Sequence, residues 1–221
     1  MIGPAILLAA SCTSPDAKVA DILARWCNIL TEAERRAPAP TATLREKMLH
    51  LIRLDEVTRQ HLWMMDDPSL DAEQRRAARD AIGHDLIRID QRNTTELKAL
   101  LPASGWFSNR VHGRQITHGA WLIAQHSPEH QFMEYALGKM SVLLKSGEVD
   151  ARDYALTFDR VQVSKGLPQR YGSQARCNNG HMTLLPLESE EAANRRRDLI
   201  GWSQTLEETK GDFEIGKPCE W

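Results

Sequence analysis

The stretch Trp121-Leu-Ile-Ala-Gln-His126 decides the fold of this chain. It is a short apolar run that ends in two polar side chains, and Ser127-Pro128 follows at once. Apolar residues recur at helical spacing on both sides of this break, which predicts two helices joined by a sharp turn. A histidine at the end of a buried helix, beside a chain reversal, is placed to project into a pocket. His126 is therefore the first candidate functional residue.

Helical periodicity continues through most of the chain and predicts about six or seven helices. Ser14-Pro15 is expected to begin the first helix, with the serine as its N-cap. Thr43-Leu-Arg-Glu46 is a capping box that opens the next helix. Gly201 follows the last clear helical pattern and is expected to end it. The predicted fold class is mainly α, as a single-domain multi-helix bundle.

A minor β-hairpin is predicted near residues 160–187. Asn178-Asn-Gly180 is a strong turn signal, since asparagine and glycine both tolerate positive φ. Residues 182–187 beyond the turn are expected to pair either with residues 160–163 or with Gln174.

Length and composition fit one globular domain with an N-terminal appendage. The chain has 221 residues, of which 42% are hydrophobic and 26% charged. Its 28 basic and 30 acidic residues give a net charge of -2, so nothing indicates a nucleic-acid partner. We divide it into residues 1–40, a signal-like segment with a first helix and a Pro-rich linker, and residues 41–221, a single helical domain. The first helix is either a stalk or a packed part of the bundle.

The first twelve residues resemble the signal of a bacterial lipoprotein. An apolar run ends in Ala9-Ala10-Ser11-Cys12, and small residues before a cysteine are typical of a site where that cysteine becomes lipidated. This predicts export, either to the periplasm or to a membrane through a lipid on Cys12. The alternative is a plain disordered N-terminus and a cytoplasmic protein, because no basic residue precedes the apolar run.

The remaining cysteines do not form a metal or redox motif, because the chain contains no Cys-x-x-Cys. In an oxidising compartment Cys177 and Cys219 are the pair expected to form a disulfide, since both lie in loop-like sequence. Unpaired thiols are the alternative.

Charged and polar residues interrupt the apolar faces of two predicted helices. Asp55 and Arg59 are four residues apart, in phase with Leu51 and Leu62. Asp90 and Asn93 continue the apolar stripe of the following helix in the same way. Each pair either lines a polar pocket or has a structural role. The structural alternatives are an ion pair at the core edge for Asp55 and Arg59, and the N-cap of a new helix for Asn93.

We expect these residues and two downstream clusters to form one site. The proposed catalytic residues are His126, Asp159 and Tyr171, with His126 as general acid or base and Asp159 either orienting it or acting as a competing base. The expected ligand-binding residues carry forked guanidinium groups or hydrogen-bonding side chains; they are Asp55, Arg59, Asp90, Asn93, Gln125, Arg160, Gln174 and Arg197. The alternative is a structural network in which buried polar groups satisfy one another.

The order of these polar elements resembles an uncharacterised bacterial family, known only as a domain of unknown function. That family has DQ, GW, QH, DR and YGTQ elements in this order. The corresponding elements in this chain are Asp55-Glu56, Gly105-Trp106, Gln125-His126, Asp159-Arg160 and Tyr171-Gly-Ser-Gln174, together with Asp90…Asn93 and Arg197…Gly201. The resemblance covers roughly residues 44–202, and Glu56 and Ser173 depart from the usual glutamine and threonine. It implies no activity.

Three classes of function remain open from the sequence. The first is a hydrolase or transferase that acts through His126 on a small anionic or amide-bearing ligand. The second is a binding module that does not catalyse, and the third is a structural lipoprotein. No Gly-x-Ser-x-Gly elbow, Gly-rich phosphate loop or His-Glu-x-x-His motif occurs, so neither a cofactor nor a metal is expected.

Overall fold

The computed structural model describes residues 12–219, so the signal-like stretch before Cys12 lies outside the described residues. Nine helices and one two-stranded antiparallel sheet occur in this part of the chain. The prediction of a mainly α fold with a minor hairpin is therefore confirmed. No helix of residues 12–219 is both long and apolar enough to span a membrane.

The helices and strands follow one another along the chain in a simple order. They are α1 (Ala17–Glu34), α2 (Leu44–Gln60), α3 (Ala72–Leu100), α4 (Asn109–His112), α5 (Arg114–His126), α6 (His130–Leu144), α7 (Ala151–Ser164), β1 (Ala175–Asn178), β2 (His181–Leu184), α8 (Glu190–Ile200) and α9 (Leu206–Asp212). A 3-10 turn, Leu62–Asp66, separates α2 from α3.

The described chain divides into two compact units. The first unit holds residues 12–101 together with His126–Pro128, and the second holds Pro102–Gln125 and residues 129–219. Within the first unit α1 packs as part of the core, and not as a stalk. The domain boundary that we expected at residue 40 stays a prediction.

The core of the first unit forms where the apolar face of α1 meets α3 and the 3-10 turn. Ile22, Trp26, Met64 and Ile82 are buried there, and Trp26 donates a hydrogen bond to the buried Asp85 at 3.1 Å. α2 also packs against α1 and α3, which makes the unit a three-helix assembly.

Two helix starts show how the local sequence sets the boundaries. The capping box at Thr43 is present, since Thr43 and Glu46 each accept a backbone N–H bond from the other. The first helix begins later than predicted, because Asp16 and not Ser14 is its N-cap. The Asp16 carboxylate accepts from the amides of Lys18 and Val19.

In the second unit α6 packs on α7, α8 packs on α9, and β1 pairs with β2. The register joins Ala175 to Leu184 and Asn178 to His181, and the predicted turn falls at Asn179 and Gly180, both at positive φ. Of the two pairings that we predicted for residues 182–187, the one with residues 160–163 is wrong, because these residues form the end of α7. The one with Gln174 is confirmed, since the Leu185 amide donates to the Gln174 carbonyl at 3.1 Å. Cys177 and Cys219 form a disulfide, as one of our two alternatives held.

Candidate functional site

His126 makes its contact with Asp55, a residue of α2. The two side chains lie 2.8 Å apart, from the imidazole Nδ1 to the carboxylate Oδ1. Asp55 is buried, whereas the His126 side chain is 22% exposed. An ionised carboxylate only accepts hydrogen bonds, so Nδ1 donates and Nε2 of the neutral ring keeps its lone pair. This contact fixes the orientation of the His126 ring.

Arg59 joins this pair to a second carboxylate, on α3. Its guanidinium lies 3.4 Å from Asp55 through Nη1 and 2.8 Å from Asp90 through Nη2. Burial raises the pKa of Asp90, while the hydrogen bond from Arg59 lowers it. Four ionisable groups therefore form one connected cluster within the first unit, and we call Asp55, Arg59, Asp90 and His126 the acid–base cluster.

Several buried polar atoms near the acid–base cluster lack a hydrogen bond. Within residues 12–219, no partner is found for Asp55 Oδ2, for Asp90 Oδ1 or for either amide atom of Asn93. Asn93 lies in the middle of α3 and is 1% exposed, so the alternative that it caps a new helix is wrong. A buried polar group without a partner costs about 1–3 kcal/mol, so these four atoms lower the stability of the first unit.

Asp159 is fully buried in α7 of the second unit and organises the loop that follows this helix. Its carboxylate accepts hydrogen bonds from the backbone amides of Arg170 at 2.7 Å, Tyr171 at 3.1 and 3.2 Å, and Ser173 at 2.9 Å. Burial raises the pKa of Asp159, and the three amides oppose that effect. In this geometry Asp159 supports the loop, and the contact that we expected from it to His126 is made by Asp55 instead.

Arg197 supports the same loop from α8. It is 1% exposed and donates to the carbonyl oxygens of Tyr171 and Gly172, to that of Gln204 and to the hydroxyl of Thr209. Burial lowers the pKa of Arg197 to about 10. Because backbone and hydroxyl groups surround this guanidinium, it is not available to an anionic ligand in this structure.

Gly172 is required where the loop meets α9. Its φ is +69°, and a Cβ at this position would collide with the Leu206 side chain. A glycine is therefore the residue that allows both the turn and the close approach.

Gln169 is a key residue that our sequence reasoning missed. It is fully buried, and its amide donates to the carbonyls of Gln174 and Leu185 and accepts from the Gln174 backbone N–H at 2.7 Å. The Gln174 side chain donates to Ser173. The sequence around Gln169, a glutamine three residues before a glycine, is equally typical of an exposed loop. It therefore gave no indication that this side chain is buried and hydrogen-bonded.

The other predicted residues of the second unit have structural contacts. Tyr171 packs edge-on against Tyr154 and Phe158, and burial raises its pKa to about 12. Arg160 donates to the backbone carbonyl of Gln125 at 3.0 Å. These contacts place Tyr171 in an aromatic group and Arg160 against the end of α5.

The structure thus gathers the predicted residues into two groups, each within one unit. The acid–base cluster with Asn93 belongs to the first unit, and the loop supported by Asp159 and Arg197 belongs to the second. The first group retains a partly exposed imidazole and unpartnered carboxylate oxygens, so it is the better candidate for chemistry.

A second histidine–carboxylate pair lies in the second unit, and no sequence pattern indicated it. His118 Nδ1 is 2.8 Å from the buried Asp153, and the imidazole ring packs 4.9 Å from the ring of Trp121. The hydrogen bond with Asp153 raises the pKa of His118. More than half of the His118 side chain is exposed, so we interpret the pair as a surface ion pair.

Fold and site together define a helical protein with a partly buried acid–base cluster. Residues 44–212 match the model of a family described as a family of unknown function (DUF6624), and the chain belongs to that family. No curated protein and no solved structure matches the chain.

Proposed function

We propose that the protein is a hydrolase or transferase in which His126 is the general base and Asp55 orients it. The observation that carries the proposal is the 2.8 Å contact between a buried carboxylate and a partly exposed imidazole. A carboxylate in this position fixes the tautomer and stabilises the imidazolium that forms during proton transfer. General base catalysis of this kind contributes about 10²–10⁴-fold to a rate.

In the proposed reaction His126 first accepts a proton and then donates it. Nε2 of His126 takes a proton from water or from an acceptor hydroxyl. The oxygen atom that loses this proton forms a bond to the electrophilic carbon or phosphorus of the substrate. The imidazolium then gives this proton to the leaving group as the scissile bond breaks. Arg59, a quarter exposed, is placed to contact an anionic group of the substrate.

Turnover of chromogenic carboxylic esters, amides and phosphate esters tests this proposal. His126→Asn keeps a donor for Asp55 and removes the base, so we expect kcat to fall at least about 100-fold without a change in the unfolding midpoint. Asp55→Asn should lower kcat as well, because it favours the wrong tautomer. His118→Asn is the matched control and should leave turnover unchanged. Undiminished turnover in His126→Asn, or no turnover by the unaltered protein, argues against the proposal.

The second candidate function is ligand binding without catalysis. The unpartnered atoms of Asp90 and Asn93 favour it, since they offer a ligand both donors and acceptors. This function predicts that a bound small anion raises the unfolding temperature, that Arg59→Gln abolishes the increase, and that His126→Asn does not.

We further propose that the protein is exported to an oxidising compartment. Cysteines pair in two disulfides, Cys12–Cys27 and Cys177–Cys219. Disulfides persist in secreted and periplasmic proteins, whereas cytosolic thiols are kept reduced. Periplasmic export fits this pairing directly, and attachment through a lipid on Cys12 requires the first disulfide to be open.

A further inference from the structure

A cavity of about 370 Å³ lies in the first unit, away from the residues of the acid–base cluster. One wall is the Pro-rich segment of residues 37–40, and the others come from α2, α3 and Glu34 at the end of α1. Its volume falls in the range of about 300–1,000 Å³ that small-molecule sites occupy. The proline-rich segment, which we first interpreted as a linker, is therefore part of a concave surface.

Some polar groups that line the cavity lack hydrogen-bond partners. Arg92 forms an ion pair with Glu34 through Nη1 at 2.5 Å. Its Nε and Nη2 atoms are buried and have no hydrogen-bond partner within residues 12–219. Nε and Nη2 form one edge of the guanidinium. This edge has the geometry to bind a carboxylate through two parallel hydrogen bonds.

His50 provides a second unsatisfied polar group at this cavity. It is 7% exposed, and no partner for its buried Nδ1 is found in the described chain. Its Nε2 lies 3.9 Å from Glu34, which is too far for a hydrogen bond. Burial lowers the pKa of His50, so the ring is neutral near pH 7 and can donate one hydrogen bond.

The rest of the lining is mainly apolar. Pro38, Pro40, Ala99 and Leu100 contribute to it, and Lys47 is a further lining residue. An apolar surface next to a forked cationic group suits a ligand that has a compact apolar body and a single carboxylate.

We propose that this cavity binds a small monocarboxylate whose apolar body packs against the proline-rich segment. The carboxylate accepts two hydrogen bonds from the Nε and Nη2 edge of Arg92. His50 donates a further hydrogen bond to the same group. The proposal is independent of the chemistry at His126, because no residue of the acid–base cluster lines this cavity.

Replacement of Glu96 tests the proposal, because the direction of its effect on ligand affinity can be predicted. Its carboxylate is 3.9 Å from Nε of Arg92, beyond hydrogen-bond distance but close enough to repel a bound anion. Replacing it with glutamine removes this repulsion. Because the Glu96 side chain is half exposed, the substitution should leave the fold intact.

Isothermal titration of the full chain with benzoate tests the site. We expect saturable binding with one equivalent, weakened about tenfold or more in Arg92→Gln because a forked charge-assisted contact is lost. In Glu96→Gln the affinity should rise about two- to fivefold, as for a partly exposed charge pair. Benzyl alcohol and acetate are the matched ligands, since one lacks the carboxylate and the other the apolar body, and both should bind more weakly than benzoate.

Three results would overturn the proposal. They are no saturable binding of benzoate, equal binding of benzyl alcohol, and an affinity for benzoate that is unchanged or lowered in Glu96→Gln. The last result is decisive even if Arg92→Gln fails to fold. Movement of the His50 ring resonances on benzoate addition, in NMR spectra of the unaltered chain, places the binding at this cavity; unmoved resonances count against it.

Discussion

Replacement of Asp159 is expected to lower stability sharply, because one buried carboxylate satisfies three backbone donors. Its partners are the amides of Arg170, Tyr171 and Ser173 at 2.7 to 3.2 Å. Each buried donor left without an acceptor costs about 1–3 kcal/mol, so Asp159→Ala should lower the free energy of unfolding by about 3–6 kcal/mol, allowing for some relaxation of the loop. Asp159→Asn keeps one carbonyl oxygen, and its cost should be about 1–3 kcal/mol.

Urea unfolding of the two variants, followed by tryptophan fluorescence and by far-UV circular dichroism, measures these costs. Two probes are needed because a chain with two compact units need not unfold in one step. Hydrogen exchange at the amides of Arg170, Tyr171 and Ser173 should accelerate in Asp159→Ala and less so in Asp159→Asn. A loss below about 1 kcal/mol in Asp159→Ala, with unchanged exchange at these amides, would falsify the supporting role of this carboxylate.

Two further predictions concern the second unit. An NMR titration should give His118 a pKa above its ordinary value of 6.5; the stabilisation by Asp153 is then fully present below that value and is lost as pH rises through the raised pKa. Asp153→Asn should return the pKa towards 6.5, and an unshifted pKa in the unaltered protein contradicts the pairing. Non-reducing peptide mapping should recover the Cys177–Cys219 link, whose loop of 42 residues is worth about 4 kcal/mol of unfolding free energy that Cys177→Ser and Cys219→Ser remove. Reactive thiols at both positions in the oxidised protein would argue against it.

Features of the fold that depend on a few neighbouring residues could be predicted from the sequence. The capping box of Thr43 and Glu46 requires partners only three residues apart, and it is present. Gly201 ends α8 at a φ of +78°, and Asn179-Gly180 turns the hairpin with both residues at positive φ. In each case the residue type itself favours the observed backbone conformation.

Pairings between distant segments could not be predicted in this way. We expected residues 182–187 to pair either with residues 160–163 or with Gln174. The contact with Gln174 is present, whereas residues 160–163 remain in α7. Helical and extended patterns are hard to distinguish in short apolar runs, and the tertiary contacts of α7 decide the outcome. Asn93 shows the same limit, since its sequence suits a helix cap but α3 continues through it.

One part of the acid–base cluster could be predicted from the sequence, and another part could not. Helical phase placed Asp55, Arg59 and Asp90 on faces that turn inward, and Asp55 is 1% exposed with Asp90 largely buried. The partner of His126 was beyond the reach of periodicity, because Asp55 is 71 residues away along the chain. Asp159 carries the same functional group, and no sequence pattern distinguishes it from the actual partner of His126.

Cys12 connects the structure to the question of where the protein resides. A lipid on this residue would form a thioether through Sγ, and a disulfide to Cys27 uses the same atom, so one molecule contains one or the other. The second disulfide, Cys177–Cys219, is compatible with both states because it lies in the other unit. The second disulfide thus supports our proposal of export whichever state Cys12 adopts, whereas the proposal of membrane attachment requires the first disulfide to be absent. The two forms of this proposal, a periplasmic protein and a lipid-anchored one, therefore differ in the bond that Sγ of Cys12 forms.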